Sequence, residues 1–379
     1  MAASRRCEPP QTFYAGVVFA LLVGIISSPM VFAVGPTEDN AMPIVSPLSA
    51  DPTVPMTIPV WQVLRMAMVP EGSSKIIFEP AAYMAEIDAL PQPIRRLRLV
   101  VELMATTGYT YDTTEGGLHG FFSNYYGALA PHILAALREA GFENRAKVLA
   151  EAMTAFGVTY PVDSPTRGTF FAANFMGLMN GVLPDPAAPP TAVDIKLHAL
   201  GAAFGTNAEL KRDIEDYVAK SPDLVAFTAQ ARANLSDDHR MSYLLSQLFS
   251  KLDGFAEPGA IQRQLDALPA SYRTVVLLSI FTGEIVNGGM EQFFSNSSGA
   301  YAPNVAAELR ALGQTAAADA VARGMALFPA PYPIATNARR LMSDDARNSQ
   351  LDALTDVVDV GAIHQAAVAF AVRANCLPR

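Results

Sequence analysis

Gly116-Gly117, Phe121-Phe122-Ser123-Asn124, Gly127 and Ala130-Pro131 recur as Gly288-Gly289, Phe293-Phe294-Ser295-Asn296, Gly299 and Ala302-Pro303, always 172 residues later. The register continues without a gap through Leu137-Arg138 and Leu309-Arg310, Gly141 and Gly313, Met153 and Met325, and Phe156 and Phe328, to Tyr160-Pro161 and Tyr332-Pro333. Twenty of the 46 positions from 116 to 161 are identical to their partners, enough to mark a duplicated domain. One fold must accommodate both copies. Residues kept by both are those that the fold, or a shared task, requires.

Upstream the copies still correspond. Ile87-Asp-Ala-Leu-Pro91 parallels Leu265-Asp-Ala-Leu-Pro269 at an offset of 178, so the first copy has six additional residues between Pro91 and Gly116. They are expected in a loop from Thr106 to Thr114. After each Leu-Pro, apolar residues fall at helical spacing: Ile94, Leu97, Val100, Val101 and Met104 in one copy, and Tyr272, Val275, Val276, Ser279 and Ile280 in the other. The glycine pair is free to adopt positive φ and should end that helix. Ala130-Pro131 and Ala302-Pro303 open the next one with proline in its first turn. Gly141 and Gly313 close it, and a further helix runs to Phe156 and Phe328. No stretch alternates as a strand would. The expected fold class is all-α, with two tandem related helical-bundle domains of about five helices each.

A chain of 379 residues, 51% apolar and 17% charged, can bury two cores. Residues 1–33 have the form of a signal peptide: Arg5 and Arg6, an uncharged apolar run from Phe13 to Ile26, and Val31-Phe32-Ala33 before a cut. This predicts a periplasmic or secreted protein. The alternative is an uncleaved anchor through residues 14–34, and membrane contact is expected only in that case. Residues 34–58 follow as a linker, 59–181 as the first domain, and 182–235 as a Pro-rich linker with a helical segment. The second domain spans 236–360 and a C-terminal tail 361–379. Cys7 falls within the signal and leaves only Cys376, so there is no disulfide framework.

In the second copy Glu284 precedes Asn287-Gly288-Gly289, followed by Gln292-Phe293-Phe294 and Asn296. This order continues through Gly299, Ala302-Pro303, Leu312-Gly313, the Phe328 region and Arg339-Arg340 ahead of an acidic helix. It resembles the core motif of the DNA-mimic-protein-like family of small helical domains. The resemblance implies the helical fold. It also implies an acidic surface that imitates DNA toward a DNA-binding protein. The first copy is a divergent member: at ungapped spacing Asp112 stands for Glu284, Glu115 for Asn287, His119 for Glu291 and Gly120 for Gln292.

The motif itself admits two physical readings. In one it only builds the fold: the glycines allow a sharp turn, and the paired phenylalanines bury apolar area in two directions. Asn124 and Asn296 would then cap the next turn, and Glu284 would accept from donors in the loop. In the other, Glu284, Asn287, Gly288, Gly289, Gln292 and Asn296 form a polar site for a peptide or small molecule. The best acidic stripe is Asp352, Asp356 and Asp359, spaced for one helical face. Glu209, Asp213, Glu215 and Asp216 form a second cluster, interrupted by Lys211 and Arg212.

No catalytic residue, cofactor or metal is predicted. The five histidines, His119, His132, His198, His239 and His364, form no metal-ligand pair. His119 with Asp112 and Glu115 is the nearest cluster, expected on a solvated loop. A net charge of −9 opposes direct nucleic-acid binding. The leading expectation is an exported non-enzymatic protein, binding or scaffolding an unidentified protein partner in the cell envelope, with contact between its two copies. The alternatives are an acidic DNA mimic, or an enzyme with a polar site at the Asn-Gly-Gly loop.

Overall fold

The structure is a computed structural model that describes residues 57–68, 80–110, 117–172, 189–252 and 258–379. The signal or anchor segment, most of the linker 34–58, and Asp112, Glu115 and Gly116 lie outside these residues. All regular elements among the described residues are helices. None is by itself long and apolar enough to cross a membrane. The chain divides into two compact units, Pro59–Leu235 and Ser236–Arg379, the latter taking Ile58 with it.

The first unit contains α1 (Val60–Met68), α2 (Pro80–Asp88), α3 (Ile94–Thr110), α4 (Gly117–Ser123), α5 (Ala130–Glu139), α6 (Glu143–Met153) and α7 (Ser164–Gly168). It continues with α8 (Ala192–Phe204), α9 (Asn207–Ala219) and α10 (Pro222–Ala233). The second contains α11 (Asp237–Phe249), α12 (Pro258–Ala267), α13 (Ala270–Ser295), α14 (Ala302–Ala311), α15 (Thr315–Ala326), α16 (Thr336–Leu341), α17 (Asp345–Thr355) and α18 (Val360–Arg373). Each bundle therefore exceeds the five helices expected. The repeat extends further than the identical strings reveal. Leu210, Ile214 and Val218 are the buried stripe of α9, and Ile363, Ala367 and Ala371, each 153 residues later, are that of α18. Helices α8 and α9 pack on α4, α6 and α3, and α17 and α18 pack on the corresponding α13 and α15. Residues 191–235 are thus part of the first bundle. The stretch 361–379, taken from sequence as a tail, supplies core residues to the second.

Pro131 and Pro303 sit in the first turns of α5 and α14, where a missing N–H removes no helical bond. The expected loop 106–114 begins later than predicted, because α3 continues through Thr110. Once a helix is nucleated each added residue contributes a hydrogen bond, which carries it through a weakly helical sequence. That continuity puts Thr106, not Asp112, at the register of Glu284.

The glycine pair ends the first part of α13, as expected: Gly288 (φ −166, ψ 22) and Gly289 (φ +73, ψ −166) leave the helical region, and a second, short helical part follows across the bend. Gly289 has φ +73, and a Cβ there would meet Thr355 Oγ1 at 2.7 Å, so only glycine fits without strain. Beyond the bend Phe293 and Phe294 are fully buried, as are Phe121 and Phe122. Each ring contributes on the order of 1.5–3 kcal/mol by burial. Phe294 meets Phe328 and Tyr332, as Phe122 meets Phe156 and Tyr160.

Candidate functional site

Glu284 lies one turn before the bend and is 1% exposed. The bend and the turn after α13 return three side chains to its carboxylate. Gln292 Nε2 donates at 2.7 Å and Asn296 Nδ2 at 3.0 Å to one oxygen, and Ser298 Oγ donates at 2.7 Å to the other. A buried carboxylate is tolerated only when donors replace its lost hydration, and here three neutral ones do. The structure thus gathers Glu284, Gln292 and Asn296 from the candidate set and adds Ser298. Asn287 and Gly288 are exposed beside them, and Gly289 serves the bend.

Asn124 and Asn296 have different tasks. Asn124 Oδ1 accepts from Tyr126 N at 2.7 Å and caps the short 3-10 turn Tyr125–Leu129, as expected. Asn296 makes no such cap, because its amide is directed to Glu284. Gly120 and Tyr126 replace Gln292 and Ser298 in the first copy, so the buried-acid cluster belongs to the second copy alone.

A second polar arrangement is common to both. Arg339 is buried and reaches four carbonyl oxygens: Nε donates to Phe294 at 2.7 Å, Nη2 to Asn296 at 2.6 Å, and Nη1 to Pro333 at 3.0 Å and to Ile334. Arg167 repeats this on Phe122, Asn124, Pro161 and Val162. Tyr332 and Tyr160 add hydroxyl bonds to Gly299 and Gly127 at 2.8 and 2.7 Å. Burial lowers the pKa of both guanidinium groups and raises that of both phenols. Arg167 was legible as a shared residue, since it falls at the same offset of 172 from Arg339 just beyond the counted identities. Arg340 is exposed and donates to Ser295 O at 2.8 Å.

The acidic stripe does not form on one helical face. Asp352 is exposed on α17, and Asp356 caps its C-terminus. Asp359 lies beyond a 60° bend and accepts from Ala362 N at 2.9 Å as the N-cap of α18. In the other cluster Glu209 forms a capping box with Thr206, and Asp213 pairs with Arg145 at 3.0 Å. Asp237-Asp238 and Asp344-Asp345 stand at helix starts, where acids face the positive end of the helix dipole.

His119 is not on a solvated loop. It sits partly buried on α4, with Nε2 2.8 Å from Asp194 Oδ1 and its ring stacked on His198 at 5.1 Å. Its partner comes from α8, far along the sequence, which spacing within the motif could not reveal. Among the described residues no group of three or more His, Cys, Asp or Glu could hold a metal ion.

A family model described as DMP19-like protein matches residues 98–221 and 266–374, both copies with their α8–α9 and α17–α18 helices. No curated protein and no solved structure matches the chain.

Proposed function

The chain belongs to the DMP19-like protein family, and from that premise we propose that it is an exported, non-catalytic protein whose second domain holds a protein partner. The observation that carries this reading is the way Glu284 is used. Its oxygens are occupied by Gln292, Asn296 and Ser298, side chains of the same motif, so the acid shapes the bend. Around it Asn287, Gly288 and Arg340 are exposed and offer a contact surface. Export is supported by the charged start and apolar run of residues 1–33.

The acidic-mimic reading draws on family membership and on exposed Asp352 and Asp356. The charge density is against it. Ser236–Arg379 carries 14 acidic and 11 basic residues, whereas duplex DNA presents a charge about every 1.7 Å.

A photo-crosslinking residue at Asn287, with one at exposed Lys220 as control, tests the proposal in intact cells. The expected result is an adduct with one protein outside the cytoplasm, formed from position 287 only. Equal labelling from both positions would remove the second-domain surface from consideration. A cytoplasmic adduct with a DNA-binding protein would establish the mimic reading instead.

A further inference from the structure

Glu284, Gln292 and Asn296 bond to one another, but Asn287 does not join them. It is exposed on the last helical turn before the bend, and its side chain makes no hydrogen bond among the described residues. Gly288 follows it, also exposed and already outside the helical region, with φ −166 and ψ 22. An asparagine followed by glycine has a reaction of its own. Glycine carries no side chain to hinder its backbone nitrogen from reaching the asparagine Cγ.

A continuous helix would suppress that approach by holding the peptide between the two residues. Here the helical part stops at Asn287, and helix ends open at the least cost. The bend thus places an end, and the one Asn-Gly pair among the described residues, inside what is otherwise a long helix. Other asparagines of the second domain and its border are less favoured. The Asn296 amide is held by Glu284 at 3.0 Å, and exposed Asn234 is followed by the buried Leu235.

We propose that Asn287-Gly288 is a self-modifying site, at which the second domain acquires a carboxylate as the protein ages. The Gly288 nitrogen attacks Asn287 Cγ. The N–Cγ bond forms, the Cγ–Nδ2 bond breaks, and ammonia leaves with the proton that the Gly288 nitrogen gives up. One water then opens the five-membered imide. Opening at Cγ gives aspartate, and opening at the main-chain carbonyl gives isoaspartate. At ungapped spacing the first copy has Glu115 in this position, an acid from the outset.

The two products differ in what they do to the domain. Aspartate keeps the backbone and adds only an exposed charge. Isoaspartate adds one backbone carbon beside Gly288, where the space is filled: a Cβ on Gly288 would meet Gln292 Oε1 at 2.2 Å. Gln292 Nε2 in turn donates to buried Glu284 at 2.7 Å. Isoaspartate therefore displaces Gln292 from the buried acid and couples a surface reaction to the core. This goes beyond the binding reading above, and its test requires no partner.

The full chain is incubated at neutral and mildly alkaline pH and mapped by peptide mass, with isoaspartate identified by enzymatic methylation. An Asn180→Gln background removes Asn180-Gly181, the chain's other such pair. Aspartate and isoaspartate should accumulate at 287 well ahead of any conversion at Asn234, faster at the higher pH because the deprotonated nitrogen attacks. Asn287→Gln should abolish the conversion, since its longer side chain must close a larger ring. In urea unfolding, the isolated isoaspartate form should lose the second domain's dichroism transition at lower urea and keep the Trp61 transition. Asn287→Asp, which adds the charge alone, should unfold near the native midpoint. Conversion at 287 no faster than at Asn234 would overturn the site. An isoaspartate form with the native midpoint, or one no weaker than Asn287→Asp, would overturn its coupling to Glu284.

Discussion

Arg339 Nε donates to the carbonyl oxygen of Phe294 at 2.7 Å, and 172 residues earlier Arg167 stands at the same 2.7 Å from that of Phe122. Each guanidinium gathers the carbonyls that the turn after the phenylalanine pair leaves without helical partners. Replacing Arg339 by Met leaves those carbonyls without their donor and should therefore remove at least about 1–3 kcal/mol, the cost of leaving a buried polar group unpaired. Lys should not rescue it, because a point charge cannot span four acceptors in a plane. Urea unfolding can separate the domains. The chain's single tryptophan, Trp61, packs against the first core and reports on that domain, while circular dichroism reports on both. Arg339→Met should shift only the dichroism transition, and Arg167→Met should shift the Trp61 transition. A variant that left its own domain's transition in place would refute the clamp.

Glu284 yields a different expectation. An amide in its place would present an N–H group to side chains that are themselves donating. Glu284→Gln should therefore lower the second domain's stability by about 1–3 kcal/mol, the cost of leaving buried polar groups unpaired. Ser298→Ala removes one donor and leaves the carboxylate two, so its effect should be smaller. Neither should move the Trp61 transition. Equal loss from Gln and Ser298→Ala would mean that the cluster does not depend on the acid.

Much of this was legible in the chain. The glycine bend, the Ala-Pro helix starts and the buried phenylalanine pairs follow from local backbone and packing rules, which act within a few residues. The acid with Gln292 and Asn296 was also within reach, since a bend folds positions eight and twelve apart onto each other. The equivalence of α8–α9 with α17–α18 was hidden. Only burial register survives there, as in Leu210 and Ile363, and the linker between Arg167 and Thr191 changes the offset. The pairing of His119 with Asp194 joins residues 75 apart, and the different use of Asn124 and Asn296 depends on whether a buried acid is nearby.

Asp194 should give the first domain an acid limb. Burial pushes its carboxyl pKa up, but hydrogen bonds from Thr191, His119 and Ala172 outweigh that and hold it below the usual value. A depressed folded-state pKa means stabilisation that is present above the unfolded value, about 3.9, and lost as pH falls through the folded one. Trp61-detected stability should therefore fall in that acid range. Asp194→Asn should flatten this part of the profile. An unaltered acid limb in the variant would show that another carboxylate carries it.

The first core contains one polar group that the second replaces. Arg98 and Glu102, 1% and 3% exposed, form an ion pair one helical turn apart, with the Tyr83 hydroxyl bonded to both. Arg98 Nε and Nη1 have no acceptor among the described residues. The offset of 178 puts Val276 and Ile280 at these positions in the second copy, so the fold tolerates an apolar pair there. Buried ion pairs are often no better than well-packed apolar residues, while removing one partner strands a charge. Glu102→Ile alone should therefore destabilise the first domain by about 3–5 kcal/mol. Adding Arg98→Val and Tyr83→Phe should recover that loss or exceed it. The Trp61 urea midpoint decides between the outcomes: a triple variant as weak as Glu102→Ile would mean that the buried triad itself stabilises the first domain.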